Sequence, residues 1–341
     1  MDSRRLTLLG RLAVLACLPY LALKLLWVLG FDIGVVDTHR VDRATWVAAN
    51  AFTFALDAVA AVVAHTLTRP GGRRTPAWLL LFPLWMASGL LVPLLTGVVG
   101  GSLAGLLTGS RNPMAAGDFL APWVFGVVYG GFIVEAIALL GAFAVYVHQR
   151  WGGLLRRPLR ELPNTGTRAL QRVFLVPAAL LLAVLGTIHV LWGAGSTLGT
   201  DPAQATGART VISAANDWSQ GLLSLVGAVG LLLMVLPGLL PRLRVRTALA
   251  AAWTGGAAVF ACGGCLWLGQ AISDGLSSGG LSSGVPAVPA GLPGLVGALE
   301  LFAGLTVLCA GAFTLGELGI DVRGNAPRRM IVERAGTRTS T

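Results

Sequence analysis

Eight windows of about twenty consecutive apolar residues run through this chain of 341 residues, and such windows have few places to go. A helix needs about 20 residues to cross roughly 30 Å of hydrocarbon. Hydrocarbon in turn admits only helices or closed barrels, because every backbone polar group must be satisfied internally. The windows fall at about 8–30, 45–67, 76–98, 121–147, 172–194, 211–236, 247–270 and 292–316. With 55% hydrophobic and only 12% charged residues, a water-soluble fold would leave far too much apolar surface exposed. The chain therefore reads as an all-α integral membrane protein with eight transmembrane helices.

The arginines set its orientation. Twenty of the twenty-four lie before the first window or near its start, after the second, between the fourth and fifth or at the start of the fifth, between the sixth and seventh, or in the tail; Arg40, Arg43, Arg111 and Arg209 occupy the alternate loops. Positive charge collects on the cytoplasmic side, which predicts that both termini are cytoplasmic. The formal net charge of +10 is accounted for in the same way and gives no reason to expect a nucleic-acid partner; the lipid bilayer is the partner it implies. Ser3-Arg4-Arg5-Leu6 and Val14-Leu15-Ala16-Cys17 faintly match export and lipoprotein signals. The apolar run continues past both for a full span, so an uncleaved first helix is expected. Arginine outnumbers lysine twenty-four to one, a bias of GC-rich bacterial genomes such as those of actinomycetes, so the expected location is a bacterial plasma membrane.

Two stretches repeat the same scarce residues 165 positions apart: Lys24-x-x-Trp27-x-x-Gly30-x-x-x-Gly34 and His189-x-x-Trp192-x-x-Gly195-x-x-x-Gly199, with Glu135 and Glu300 at the same offset. Tryptophan and intramembrane glutamate are rare enough to point to an internal duplication. The expected organisation is a four-helix unit over 1–148, a cytoplasmic linker over 149–171, a second four-helix unit over 172–318 and a disordered cytoplasmic tail over 319–341. Four helices per unit make the repeats parallel, related by an axis along the membrane normal. The Gly, Ser and Pro-rich segment over about 271–291 reads as a flexible external loop. The H/K-x-x-W-x-x-G phrase resembles the first-helix signature of small four-helix actinobacterial membrane proteins of unknown function. That resemblance implies two fused units and carries no activity with it.

Burying a charge at the bilayer centre costs about 2.5–3.5 kcal/mol on insertion scales, so Lys24, Asp57, Glu135 and Glu300 each need a partner or a task. Asn50, Phe54 and Asp57 share a helical face at i, i+4 and i+7, which predicts that Asn50 and Asp57 point together into the bundle. Asn216, Gln220 and Ser224, beside Asp217, hold comparable places in the second unit, where Asp57 has no acidic counterpart at the matching depth. Lys24 is expected to face Asp57 or Glu135, and His189, the one histidine deep enough to carry protons, to face Glu300. His65 and His148 sit at helix ends and read as interfacial anchors. Cys262-Gly263-Gly264-Cys265 has the spacing of a dithiol redox pair, although Cys17 and Cys309 are single and supply no relay pair.

No phosphate-binding loop, dinucleotide fingerprint, cofactor motif or metal-ligand spacing occurs, so any energy source is an ion gradient or a separate energising subunit. The leading expectation is a transporter-like protein moving or extruding an unknown small molecule, with proton linkage among the options, through a site built from Lys24, Asn50, Asp57, Glu135, His189, Asn216 and Glu300. The rivals are a noncatalytic accessory or immunity subunit, whose charges are structural pairs, and a membrane thiol oxidoreductase using Cys262 and Cys265.

Overall fold

A computed structural model describes residues 2–37, 43–69, 75–108, 120–162, 167–199, 211–277 and 291–317. The predicted tail over 319–341 and most of the Gly/Ser/Pro loop lie outside the described residues. Its helices are α1 (Asp2–Leu29), α2 (Arg43–Thr68), α3 (Ala77–Thr108), α4 (Pro122–Leu155), α5 (Arg168–Gly193), α6 (Val211–Val235), α7 (Val245–Ala258), α8 (Leu266–Ser277) and α9 (Leu292–Glu317). A π-helical stretch, Val259–Cys265, joins α7 to α8, so the two make one span. Among the described residues, eight helices are long and apolar enough to cross a membrane.

Several boundaries differ from expectation. Helix α3 continues to Thr108 and α4 to Leu155, about ten and eight residues beyond their apolar windows, because backbone hydrogen bonding does not stop where hydropathy falls. The last turns of α4 are held from the side: Arg150 donates to the Tyr146 hydroxyl and lies 5.0 Å above the Trp151 ring. Trp151 itself departs from helical geometry at φ −128°, ψ 17°, so the helix bends there. The segment 149–171 is correspondingly less of a linker than composition implies. Its two ends are helical, and a single 3-10 turn, Leu159–Glu161, lies between them.

That turn is tied to the α6–α7 connection by Leu159 N–H to Leu243 O (2.8 Å) and Val245 N–H to Arg157 O (2.9 Å). Leu159, Leu162, Leu233, Met234 and Val245 pack beneath it. Residues 271–277, read from composition as part of a flexible loop, are instead the last turns of α8, where Leu266, Ala271 and Ile272 still supply apolar residues.

Among the described residues, the two largest cores fill the middle of the bundle. One joins α1 to α4 through Ala13, Ala64, Leu84, Leu139 and Ala142; the other joins α5 to α9 through Leu182, Leu185, Ala257 and Ala303 and also takes in Trp85 of α3. Helix α3 is the seam. Trp85 stacks on Phe260 with ring centres 5.2 Å apart, Ser88 accepts the Trp253 indole N–H at 3.2 Å, and Thr96 bonds Ser219.

Glycine explains why α3 leans this way. Gly89 leaves no room for a Cβ because the Ala257 backbone fills its place. Backbones that approach this closely pack well in a medium that supplies no hydrophobic drive. The same device closes α6 onto α7, where a Cβ on Gly227 would stand 2.8 Å from Gly255 Cα. Helix α2 packs mainly on α1 and only lightly on α3.

Candidate functional site

The two repeated phrases form two turns of the same geometry. Helix α1 ends with Gly30 N–H bonded to Trp27 O and Phe31 N–H to Leu26 O, and α5 ends with Gly195 N–H bonded to Trp192 O and Ser196 N–H to Leu191 O. These are the paired bonds of a Schellman cap, which needs a left-handed residue after the helix. Gly30 and Gly195 provide it at φ +105° and +98°. In each turn the tryptophan latches the outgoing chain. Trp27 Nε1 donates to Ile33 O at 2.8 Å and Trp192 Nε1 to Leu198 O at 2.9 Å.

The second glycines, Gly34 and Gly199, are also left-handed and let the chain press on Val124 of α4 and Leu292 of α9 respectively. Most of the phrase is thus turn chemistry. Its first residue, Lys24 or His189, is the one that reaches inward.

Those two residues line a single cavity of about 810 Å³. On the α1–α4 side, Lys24 is almost fully buried at 1% exposure. Its Nζ lies 3.2 Å from Asp57 Oδ2 and 3.8 Å from the centre of the Tyr20 ring. Of the two expected partners the lysine therefore takes Asp57. Glu135, also buried, lies near the Cys17 thiol and makes no ion pair among the described residues.

On the α5–α9 side, His189 is held at both ring nitrogens. Nδ1 lies 3.1 Å from Asp217 Oδ1 and Nε2 lies 3.1 Å from Glu300 Oε1. An imidazolium satisfies both contacts by donating one N–H to each carboxylate. Gln220 Nε2 donates to the same Glu300 oxygen at 2.9 Å and to Ala258 O at 3.3 Å. Glu300 fits because residue 263 is glycine: a Cβ there would overlap its carboxylate. The π-helical stretch that carries Gly263 is a local irregularity of the kind often found at functional sites.

The cavity gathers Lys24, Asp57, Glu135, His189, Asn216 and Glu300, six of the expected residues, together with Cys262. Asn50 does not join them. It is buried, but its amide donates back to Trp46 O on its own helix at 2.9 Å, so the shared helical face with Asp57 did not bring the two to one site. Asp57 has no acidic residue at the position 165 further on, but Asp217, nearer the start of α6, bonds His189 as Asp57 of α2 bonds Lys24. Neither Asp217 nor Gln220 was among the expected site residues, though the i, i+3 spacing with Ser224 one turn on was a usable sign of one polar face. Tyr20 and Trp267 also line the cavity, and nothing in their spacing marked them.

The two cysteines part company. Cys262 faces the cavity, whereas Cys265 packs against the α5–α9 core; both are free thiols. The glycines between them serve the packing of α9, since a Cβ on Gly264 would stand 2.6 Å from Leu301 N. Compared with protein-family models, curated proteins and solved structures, the chain matches none.

Proposed function

We propose that this protein is a multi-pass transporter of the bacterial plasma membrane, built from two parallel four-helix repeats with both termini cytoplasmic, which moves a small molecule through the cavity between the halves. One observation carries the reading: a single cavity, within the roughly 300–1,000 Å³ range of small-molecule sites, is lined by buried ionisable residues from both halves. A purely structural bundle would close-pack that volume, and its charges would be paired off. The cavity leaves Glu135 without an ion-pair partner among the described residues. The duplication is supported by the two matching caps and by the Lys24–Asp57 and His189–Asp217 pairs in equivalent helices. The difference between lysine and histidine makes the two halves chemically unequal, as a single off-axis site requires.

Coupling to a proton gradient is the energy source that fits intramembrane carboxylates and a histidine. The accessory-subunit reading predicts a dry, filled interior and gains nothing from this cavity. The thiol reading needs Cys262 and Cys265 to act together, and they look onto different surroundings.

The test is accumulation in cells. Bacteria expressing the protein should retain a different amount of at least one compound in a panel of fluorescent amphiphiles than cells expressing Glu135→Gln/Glu300→Gln at equal membrane abundance. Identical retention across the panel would contradict transport.

A further inference from the structure

We propose that the cavity selects a monovalent organic cation, a protonated amine carried on an apolar body, and that Glu135 and the Gln220 carbonyl oxygen receive its ammonium group. This rests on the transporter reading and names its substrate class. The charge balance is the first ground. Four carboxylates, Asp57, Glu135, Asp217 and Glu300, line the cavity against two basic groups, Lys24 and His189. Both basic groups are already committed, Lys24 to Asp57 and His189 to Asp217 and Glu300. An anion would find no free cation to meet it among the described residues. With two carboxylates in excess, one proton and one monovalent cation complete the balance, whereas a neutral solute would leave the whole excess to protons.

The second ground is independent of charge. Gln220 is 5% exposed and both its amide hydrogens are used, toward Glu300 Oε1 and Ala258 O. These partners are acceptors, so they fix which end of the amide is nitrogen. Its Oε1 is then a buried acceptor without a donor among the described residues. Buried polar atoms are rarely left so, and because Gln220 lines the cavity an entering N–H or O–H that parts the packing over this oxygen would satisfy it. Trp267, which lines the same cavity, has the complementary deficit, a buried indole N–H without an acceptor. It suits a ligand with an ether, hydroxyl or carbonyl oxygen away from the amine.

The third ground is the remaining wall. Phe82, Met86, Leu90 and Leu94 of α3 and Phe132 of α4 offer apolar surface with no ionisable group. A metal cation or a small hydrophilic amine would have no use for it, whereas an aromatic or branched amine would bury its body there.

The experiment is calorimetric titration of the purified full-length protein in detergent with four probes sharing one ring system: 1-naphthylmethylammonium, its N,N,N-trimethyl analogue, 1-naphthylmethanol and 1-naphthoate. The ammonium should bind at least about tenfold more tightly than the alcohol and the carboxylate. The trimethyl analogue, with no N–H for Gln220 Oε1, should lose roughly tenfold relative to the ammonium. Glu135→Gln should weaken the ammonium by about tenfold or more while leaving the alcohol unchanged, and Gln220→Met should erase the preference for the ammonium over its trimethyl analogue. If either variant fails to fold, the ranking of the four probes on the unmodified protein decides by itself.

Naphthoate binding as tightly as the ammonium, or no ammonium binding up to millimolar concentration, would overturn the assignment. Counterflow in proteoliposomes made from the same preparation separates it from the reading beneath it. Ammonium selectivity without flux would sink transport and keep the site. Flux of naphthoate in preference to the ammonium would keep transport and sink the cation.

Discussion

Lys24 and Asp57 face each other across α1 and α2 with 3.2 Å between charged atoms, and the lysine has almost no contact with solvent or lipid. A pair buried this deeply is held by mutual need, since removing one partner leaves the other charge uncompensated. Lys24→Met and Asp57→Leu should each destabilise the protein by about 3–5 kcal/mol, and the double change should recover most of that loss. Thermal unfolding in detergent checks it. If Lys24→Met were rescued by Glu135→Gln and not by Asp57→Leu, the pairing described here would be wrong.

Glu135 and Glu300 lie 165 residues apart in the sequence, and their surroundings predict unequal responses. Glu300 accepts from Gln220 and pairs with His189, so Glu300→Gln should lower stability by about 1.5–3 kcal/mol through loss of charge-assisted bonds. Glu135 has no ion-pair partner among the described residues, so Glu135→Gln should change stability by less than about 1 kcal/mol while abolishing transport. Comparing melting points of the two variants with their flux separates stability from function. Equal destabilisation would argue that Glu135 is also a structural partner.

The Trp-Gly caps should be stability elements without influence on substrate. Trp27→Phe and Trp192→Phe each remove one indole hydrogen bond to a loop carbonyl and should cost about 0.5–1.5 kcal/mol. Gly30→Ala and Gly195→Ala, which force alanine into the left-handed region, should cost about 1–2 kcal/mol. Substrate affinity should stay within twofold of the parent in the α1 variants, measured by the same titration used for the site. A selective loss of affinity in Trp27→Phe would give the phrase a functional part that its geometry does not.

Topology can be read from exposed residues at the described ends of helices. Single cysteines replacing Asp32 and Leu198, just past α1 and α5, should react with a membrane-impermeant maleimide in intact cells. One replacing Arg160, between α4 and α5, should react only after permeabilisation. Labelling of Arg160→Cys from outside would invert the orientation.

The membrane spans were legible because hydropathy acts over whole segments. Apolar windows marked every span to within a few turns, and the scarce Trp and Gly residues marked two caps whose physics is local to six or seven residues. The site was legible in part. Counting ionisable residues inside apolar windows found Lys24, Asp57, Glu135, His189 and Glu300. What it missed depended on rotation between helices: a period of 3.6 says which residues share a face, not which neighbour that face meets. Asn50 therefore turned out to bond its own helix, Lys24 chose Asp57 over Glu135, and Asp217 emerged as the partner of His189. The π-helical stretch was hidden for a related reason, since its altered register is set by the contact of Gly263 and Gly264 with α9 and leaves no pattern in Val259–Cys265 itself.

The central claim is that the space between the halves is a solute-accessible site and not sealed packing. Cys262 lines that space naturally, which makes it the most direct reporter. In a protein keeping Cys262 alone, with Cys17, Cys265 and Cys309 replaced by alanine, a small cationic methanethiosulfonate should modify the thiol in proteoliposomes within minutes, and 1-naphthylmethylammonium should slow the reaction by about tenfold or more at saturation. A Cys262 that stays unmodified in the folded protein yet reacts on unfolding would mean a dry interior, and the charges lining it would then be scaffolding.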